Sequence, residues 1–283
     1  AVRPFVKVVI GGDGGDEMFG GYPRYGYADF ARTLGRAPTW ILRAMLLFSH
    51  TVSRVSPSER VRQVQRLLRA AEASGNERLL ALSCYLFPEE LQGMLTPSAR
   101  QKTADYVPML MGAGDRSRGV GGADFIDATM NTALPGDYLR KVDMMSSAHG
   151  LEVRIPFLGE SVLACSARIP ERWKYSVGEN KRLLRKLAER YLPPALCRRP
   201  KAGFGFPFDA WLGDQGRLEL HHQLCSPTAR VRDIVSAGYL ERLLRCFVEQ
   251  RWDDLRISRY NLYQRVYCLW ALERWLQRWS PNL

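Results

Sequence analysis

The chain begins with a short apolar run that stops abruptly at a polar, glycine-rich segment. Residues 6–10, VKVVI, are rich in β-branched side chains, which pack well on a pleated surface. The pattern predicts a short buried strand formed by Val6, Val8, Val9 and Ile10. Residues 11–17, GGDGGDE, follow directly and form what we call the glycine–acid loop. Ligands of open α/β sheets lie at the carboxyl ends of strands, so this loop is the first candidate site.

Most of the later sequence carries apolar residues three and four positions apart, a spacing that predicts amphipathic helices. The segments with this spacing are residues 61–73, 137–150, 181–192 and 261–279. The residues that share one face of the last segment are Leu262, Val266, Leu269 and Trp270. Such a face favours core packing over contact with a cofactor. With one clear strand, the chain is expected to supply only part of a parallel sheet, and we expect the other strands in sequence preceding Ala1.

Two further segments have distinctive patterns. Residues 39–52, TWILRAMLLFSHTV, are the most apolar stretch, but they are too short to span a bilayer and Arg43 interrupts them. They predict a core helix. Residues 111–123 are rich in glycine and charge, and they predict a mobile loop or lid.

Composition narrows the classes of partner. The 283 residues are 46% hydrophobic, enough for a substantial core in one or two domains. The formal net charge of +12 favours anionic partners, namely nucleotides, nucleic acids or acidic membranes. The basic residues are dispersed, without a run that resembles a nucleic-acid-binding arm, so neither nucleic acid nor membrane is predicted as a partner. The six cysteines form no CxxC pair, which predicts buried free thiols in a reducing cytoplasm.

The glycine–acid loop combines two features that conflict unless a cation lies between them. Its glycines remove side chains, so backbone N–H groups can approach an anion such as phosphate closely. Its carboxylates, Asp13, Asp16 and Glu17, would repel that anion. Mg²⁺ resolves the conflict, because it is typically bound by one or two carboxylates together with phosphate oxygens. The alternative interpretation is a tight acidic surface turn.

A second candidate loop lies in residues 196–212, where Pro200 and Pro207 bracket a glycine-bearing segment. Lys201 lies near its start, after two arginines. Such a loop can carry a lysine ammonium into a cleft, where the point charge neutralises a polyphosphate. The alternative is a basic surface turn.

A third segment, residues 134–159, carries several ionisable groups. Asp137 and Asp143 are six residues apart and lie on different faces of a helix, so they need not act as a pair. For Asp143 a pocket-facing role, a cap and an ion pair all stay open. His149 is interpreted as a helix-end residue that contacts free carbonyls, and Glu152 with Arg154 as a structural ion pair. The sequence indicates no Ser–His–Asp or Cys–His nucleophile.

Four segments together resemble signature segments of the C-terminal synthetase domain of glutamine-hydrolysing asparagine synthetases. They are GGDGGDEMFGGYPRY at 11–25, LPGDYLRKVDMMSSAHGLEVRIPFLG at 134–159, GENKRLLRKLAERYLP at 178–193 and RRPKAGFGFPFDAWL at 198–212. The resemblance implies an α/β fold of the adenine nucleotide α-hydrolase type (PP-loop or HUP), incomplete here and mostly α-helical. Residues 1–283 would then form the C-terminal part of a synthetase domain.

The resemblance also implies a reaction. ATP adenylates the β-carboxylate of aspartate and releases pyrophosphate, and ammonia from a glutaminase domain attacks the β-aspartyl-AMP to give asparagine and AMP. Asp16 matches the aspartate that binds Mg²⁺ with pyrophosphate, and Asp13 lies where an acidic residue receives the proton of the attacking amine. Lys201 matches a lysine that contacts phosphates and stabilises developing charge, and Lys181 matches a second phosphate-side lysine. Gly12, Gly14 and Gly15 fall in the segment that binds ATP and pyrophosphate.

The chain departs from the family pattern in three places. The SGGxDS pyrophosphate loop and the glutaminase domain do not occur in these residues, so we expect the chain alone to be inactive. Gly159 replaces the usual aspartate of the PFLD segment, with Glu160 next to it. Because similar domains also build β-lactams, close lasso peptides or amidate sugar and polymer precursors, another carboxylate substrate stays open. A tRNA-modifying PP-loop enzyme and a non-catalytic scaffold also remain as alternative functions. A homodimer stays open as the oligomeric state.

Overall fold

The computed structural model describes residues 2–56, 58–103, 120–197, 199, 207–251, 255 and 257–279, and these residues are mostly helical. They form two compact units. The first unit takes its described residues from 1–42, 67–83 and 108–201, and the second from 43–66, 84–107 and 202–283. Lys201 and the rest of residues 200–206 lie outside the described residues, as does most of the predicted loop at 111–123.

The described elements are two strands and sixteen α-helices, with three short helical turns of other types. The strands are β1 (Val8–Ile10) and β2 (Glu152–Arg154). The helices are α1 (Gly15–Met18), α2 (Pro23–Leu34), α3 (Thr39–Val55), α4 (Glu59–Glu72), α5 (Gly75–Ser83), α6 (Pro88–Met94), α7 (Pro97–Thr103), α8 (Gly122–Asn131), α9 (Arg140–Ser147), α10 (Glu160–Arg168), α11 (Glu171–Lys174), α12 (Arg182–Ala188), α13 (Pro194–Cys197), α14 (Phe208–Cys225), α15 (Ala237–Glu249) and α16 (Arg259–Trp279). A π-helix covers Leu134–Leu139, and 3₁₀ turns cover Pro156–Leu158 and Arg230–Asp233.

β1 and β2 pair in parallel, with Val8 opposite Glu152 and Ile10 opposite Arg154. The prediction of a strand is confirmed for Val8, Val9 and Ile10, whereas Val6 lies outside it, and the prediction that the strand is buried is wrong. Val8 and Ile10 are 40% and 78% exposed, and Val6 is exposed too. Val8 and Ile10 point to the same face of the pleat, and no described element covers that face.

The first unit packs around the aromatic side chains of α2 and α8. Tyr25 is fully buried against Phe125 and Tyr175. The buried Arg78 of α5 donates hydrogen bonds to the carbonyls of Ala70, Ala73 and Val120, at 2.7, 2.8 and 3.0 Å. A single guanidinium therefore satisfies backbone groups at the end of α4 and at the residue two positions before α8.

The second unit packs around α14, α15 and α16. The buried side chains of α16 include Leu262, Val266 and Leu269, and Trp270 packs partly buried against the same core. The prediction that this helix forms part of the core is confirmed. Its apolar face repeats with the helical period, and α14 and α15 cover that face.

The prediction of a core helix at 39–52 is wrong. α3 buries Leu42, but Trp40, Leu47 and Phe48 are 72%, 69% and 72% exposed. The segment is apolar around much of its circumference, and other elements cover only one side of it. No helix among the described residues is both long and apolar enough to cross a membrane.

All six cysteines are free thiols, but only Cys197 and Cys246 are buried. Cys84 and Cys225 are partly buried, and Cys165 and Cys268 are exposed, so the prediction of buried thiols holds for part of the set. Burial raises the pKa of the Cys84, Cys225 and Cys268 thiols, which disfavours the reactive thiolate form at these three positions.

Candidate functional site

The glycine–acid loop begins where both parallel strands end. The Gly11 N–H donates a hydrogen bond to the carbonyl of Arg154 at 2.8 Å, the last contact of the β1–β2 ladder. Gly14 then adopts a left-handed conformation, with φ of 82°, which glycine allows without steric strain. This turn starts α1 and brings Asp16 into its first turn. The position at the carboxyl ends of the strands is the one predicted from the sequence.

The structure gives different explanations for the presence of glycine at positions 12, 14 and 15 of this loop. A Cβ on Gly14 would meet the side chain of Leu158 at 2.7 Å, and one on Gly15 would meet the ring of Phe157 at 3.1 Å. Close packing therefore explains both glycines within the protein. A Cβ on Gly12 would meet nothing within 4 Å, and this residue is exposed. Among these three predicted phosphate contacts, Gly12 is the glycine that packing does not account for.

Asp16 and Lys181 form the central contact of the site. The Lys181 Nζ lies 2.9 Å from Asp16 Oδ1, and the two side chains are 35% and 27% exposed. The Lys181 N–H also donates to the carbonyl of Gly20 at 3.2 Å. One contact thus binds the residue before α12 to the glycine–acid loop, and the other binds it to the turn that follows the loop. The structure brings together two residues that the sequence assigned to one phosphate site.

The backbone of Lys181 is strained. Its φ of 53° and ψ of 37° lie in the left-handed region, where a side chain with a Cβ is disfavoured by about 1 kcal/mol or more. Gln250 is the other described non-glycine residue with positive φ. The strain at Lys181 occurs where its ammonium contacts Asp16 and its N–H contacts Gly20. Such strain near charged, partly exposed groups is typical of functional sites.

Gly21 is a site residue that sequence reasoning missed. The Asp16 carboxylate occupies the position that a Cβ on Gly21 would take, and the Gly21 N–H donates to the Asp16 carbonyl at 2.7 Å. The turn at residues 19–21 therefore leaves space for the Asp16 side chain only because residue 21 is glycine. The doubled glycine after the acidic helix was the available signal.

The sequence grouped Glu17 with Asp13 and Asp16 as a carboxylate of the loop surface, but the structure buries its side chain. It is 2% exposed, and the Tyr22 hydroxyl donates to its Oε1 at 2.6 Å. Burial and this hydrogen bond raise the pKa of Tyr22, so its hydroxyl stays a donor. Consecutive residues on a helix point about 100° apart, which turns Glu17 inward while Asp16 faces outward.

Asp13 is half-buried, and its Oδ2 lies 3.2 Å from the position that a Cβ on Gly11 would take. Its carboxylate therefore folds back over the end of β1. The predicted convergence of Lys201 with this loop stays a prediction, because Lys201 lies outside the described residues.

The third segment follows its predicted local contacts. His149 Nδ1 lies 2.9 Å from the carbonyl of Met145, and Arg154 Nε donates to Glu152 Oε1 at 2.7 Å. Both structural interpretations are confirmed. Asp143 is exposed and accepts a hydrogen bond from the Ser147 hydroxyl at 3.5 Å, so it behaves as a helix-surface group.

The carboxylate of Asp16 is a suitable ligand for a Mg²⁺ ion that also binds phosphate. No group of three or more His, Cys, Asp or Glu side chains with metal-binding geometry occurs in the part of the chain that the structure describes. Mg²⁺ does not require such a group, since one or two carboxylates suffice when phosphate supplies the other oxygens. Lys181 already contacts Oδ1 of Asp16, so a metal would share this carboxylate with the ammonium or take its other oxygen.

Comparison with known proteins indicates the family of this chain. A family model described as asparagine synthase matches residues 1–277. The glutamine-hydrolysing asparagine synthetase 1 of Bacillus subtilis is 32% identical over 219 residues, which are 75% of this chain and 33% of that protein. A Mycobacterium bovis protein, provisionally named a glutamine-hydrolysing asparagine synthetase, is 30% identical over 218 residues, which are 74% of this chain and 31% of that protein.

The chain spans about a third of the length of the curated relatives it matches. No solved structure matches it significantly. The family match covers nearly the whole chain and includes the glycine–acid loop and Lys181. The chain belongs to the asparagine synthase family.

Proposed function

We propose that this chain is the amide-forming part of an ATP-dependent carbon–nitrogen ligase. In the proposed reaction, the β-carboxylate of aspartate is adenylated by ATP, and glutamine-derived ammonia attacks the β-aspartyl-AMP to give asparagine, AMP and pyrophosphate. The contact between Asp16 and Lys181 at the end of the parallel strands carries the proposal. Family membership and the names of the relatives support the reaction class.

The pair suits a polyphosphate because it offers both signs of charge. Lys181 presents an ammonium that neutralises phosphate oxygens, and Asp16 presents a hard oxygen ligand for Mg²⁺. When bound, Mg²⁺ would neutralise charge on the pyrophosphate leaving group. The exposed backbone at Gly12 allows a phosphate to approach without meeting a side chain. Adenylation requires this charge neutralisation more than it requires a protein nucleophile.

Two further roles belong to the proposal. Asp13 accepts the proton of the attacking amine, and Lys201 contacts the phosphates and stabilises the charge at the reacting carbon. Gly14 and Gly15 line the phosphate segment through their backbone. The proposal also includes an α/β synthetase fold of the PP-loop type and a cytoplasmic location. A glutaminase domain is the proposed source of ammonia. A different small carboxylate, such as a sugar or polymer precursor, is the alternative substrate.

The test uses the natural full-length protein and measures pyrophosphate and AMP formed on addition of aspartate, glutamine and Mg²⁺–ATP. Asp16→Asn and Lys181→Gln should each lower this rate at least about a hundredfold, since both remove charge that contacts the leaving group. Lys186→Gln is the matched control, because Lys186 is an exposed lysine of α12 and its removal should leave the rate unchanged. Thermal unfolding of all three variants should stay close to that of the parent.

Unchanged pyrophosphate formation in both site variants would overturn the assignment of the pair. A parent protein that binds Mg²⁺–ATP but forms no acyl-adenylate with any carboxylate would contradict the ligase proposal and favour a scaffold. A parent protein that releases pyrophosphate with another carboxylate, and not with aspartate, would keep the reaction and replace the substrate.

A further inference from the structure

α3 presents a continuous apolar stripe to solvent. Its members, spaced three, four and seven positions apart, are Trp40, Ala44, Leu47, Phe48, Thr51 and Val55. At about 100° per residue they fall within an arc of about 100°, and at about 1.5 Å per residue they extend over about 22 Å. The four large side chains of this stripe are between 69% and 85% exposed. We call this surface the α3 stripe.

The opposite side of α3 is attached to the protein. Leu42 and Ser49 are 2% and 6% exposed, and they lie on the side of the helix away from the α3 stripe. The Gln65 amide of α4 donates to the Ser49 carbonyl at 3.3 Å. The helix therefore cannot bury the stripe by rotating about its own axis without breaking this packing. Leaving so much contiguous apolar surface exposed is typical of an interaction site.

The charges on α3 indicate the chemistry of the partner. The helix carries no acidic residue, and Arg43 and Arg54 both lie along one edge of the stripe. The whole chain has a formal net charge of +12. A second copy would bring the same positive edge and the same net charge, without a carboxylate on this helix to pair with them. An anionic partner is therefore favoured over self-association.

We propose that the α3 stripe lies on the surface of an anionic lipid bilayer. Trp40 and Phe48 are side chains suited to the region between headgroups and acyl chains, and the arginine edge faces the anionic headgroups. The helix lies on the membrane and does not span it, in agreement with its length. This proposal departs from the sequence prediction that no membrane is a partner, and vesicle binding decides between the two.

The test measures binding of the natural full-length protein to vesicles of phosphatidylcholine with 30% phosphatidylserine, and to vesicles of phosphatidylcholine alone. We expect binding to the anionic vesicles, weakening as salt rises from about 0.1 to 0.5 M. Leu47→Glu combined with Phe48→Glu should lower the vesicle partition coefficient at least about tenfold. Val64→Glu combined with Leu218→Glu is the matched control, since both are exposed apolar positions outside the stripe and the double change adds the same charge.

Three results would overturn the proposal. The first is equal binding of the stripe variant and the control variant to anionic vesicles. The second is no vesicle binding together with a dimer in sedimentation equilibrium that the stripe variant abolishes, which would assign the stripe to a second copy. The third is that the parent protein binds no vesicles and is a monomer, while the stripe variant is less thermally stable than both the parent and the control variant. That result would mean that other parts of the full-length chain cover the stripe.

Discussion

Single residues of the site are explained by the space and the backbone conformation that each position allows. Lys181 tolerates a left-handed backbone while its N–H and its ammonium contact Gly20 and Asp16. Gly21 is needed because the Asp16 carboxylate fills its missing side-chain position. Gly12, in contrast, borders open space. The same residue type therefore serves packing at one position and access at another.

This contrast predicts opposite behaviour for two alanine substitutions. Gly12→Ala should leave the free energy of unfolding within about 1 kcal/mol of the parent, because the new methyl meets nothing and the unfolded chain loses entropy. It should nevertheless weaken ATP binding at least about tenfold if phosphate approaches that backbone. Gly21→Ala should destabilise the protein by about 1–3 kcal/mol, since the Asp16 side chain must move.

Urea unfolding and calorimetric ATP titration of the full-length protein distinguish the two variants. Gly12→Ala that binds ATP like the parent would remove Gly12 from the phosphate site. Gly21→Ala with parental stability would contradict the packing of Asp16 described above.

At the scale of elements, Gly159 illustrates how a departure from the family pattern can be structural. It is the N-cap of α10, with φ of −63° and ψ of 140°, and no side chain caps the helix. An aspartate at this position accepts hydrogen bonds from the first free N–H groups of a helix. The aspartate usual in the PFLD segment is therefore expected to act as a helix cap, and its loss here need not affect chemistry.

Gly159→Asp should raise the free energy of unfolding by about 0.5–1 kcal/mol through capping and reduced backbone entropy. A Cβ at this position lies 3.3 Å from the Pro156 carbonyl, so a small local adjustment is required. Gly159→Ala is the control, because it adds the Cβ without the cap. Pyrophosphate formation in the full-length protein should be unchanged by either substitution. A large gain in rate for Gly159→Asp, and not for Gly159→Ala, would assign the new carboxylate a role in the reaction.

At the scale of the whole molecule, each unit has its own core. In the second unit, the carboxylate of Glu90 connects segments that are distant in sequence. Glu90 accepts hydrogen bonds from Arg62 at 2.7 Å and from Arg265 at 2.6 Å, and it also caps α6 through the Phe87 N–H. Burial alone would raise the pKa of Glu90, but the hydrogen bond from Arg62 and the charges of both arginines lower it to about 2. Segments far apart in sequence thus meet at a single ionised side chain.

This pKa sets a pH dependence of stability. Because the pKa of Glu90 is lower in the folded state than its ordinary value of 4.5, its stabilisation is present above pH 4.5 and is lost as the pH falls toward 2. Glu90→Gln should lower the free energy of unfolding by about 3 kcal/mol at pH 7, leaving two buried guanidinium groups without a counter-charge. The difference from the parent should shrink between pH 4.5 and pH 2.

Urea unfolding at pH 7, 4 and 2.5 measures this difference. Glu249→Gln is the control, since Glu249 and Arg251 form an exposed pair that should contribute less than about 1 kcal/mol. A Glu90→Gln deficit that is constant over the whole pH range would show that lost packing, and not lost charge, destabilises the variant.

The sequence by itself determined the local features of this protein. The period of its apolar residues predicted α4 and α16, the apolar run before the glycines predicted β1, and the four ordered segments indicated the asparagine synthase family. These features depend on neighbours within one or two helical turns, or on the order of short segments. A single sequence contains that information directly.

Only the tertiary structure decided which of these features are buried and which side chains meet. α3 and α16 have similar apolar content, yet α16 packs in the core while α3 leaves its stripe in solvent, because burial depends on elements distant in sequence. The contacts of Lys181 with Asp16 and of Glu90 with two arginines depend on long-range folding in the same way. The inward turn of Glu17 beside the outward Asp16 follows from the helix rotation that places one against the core.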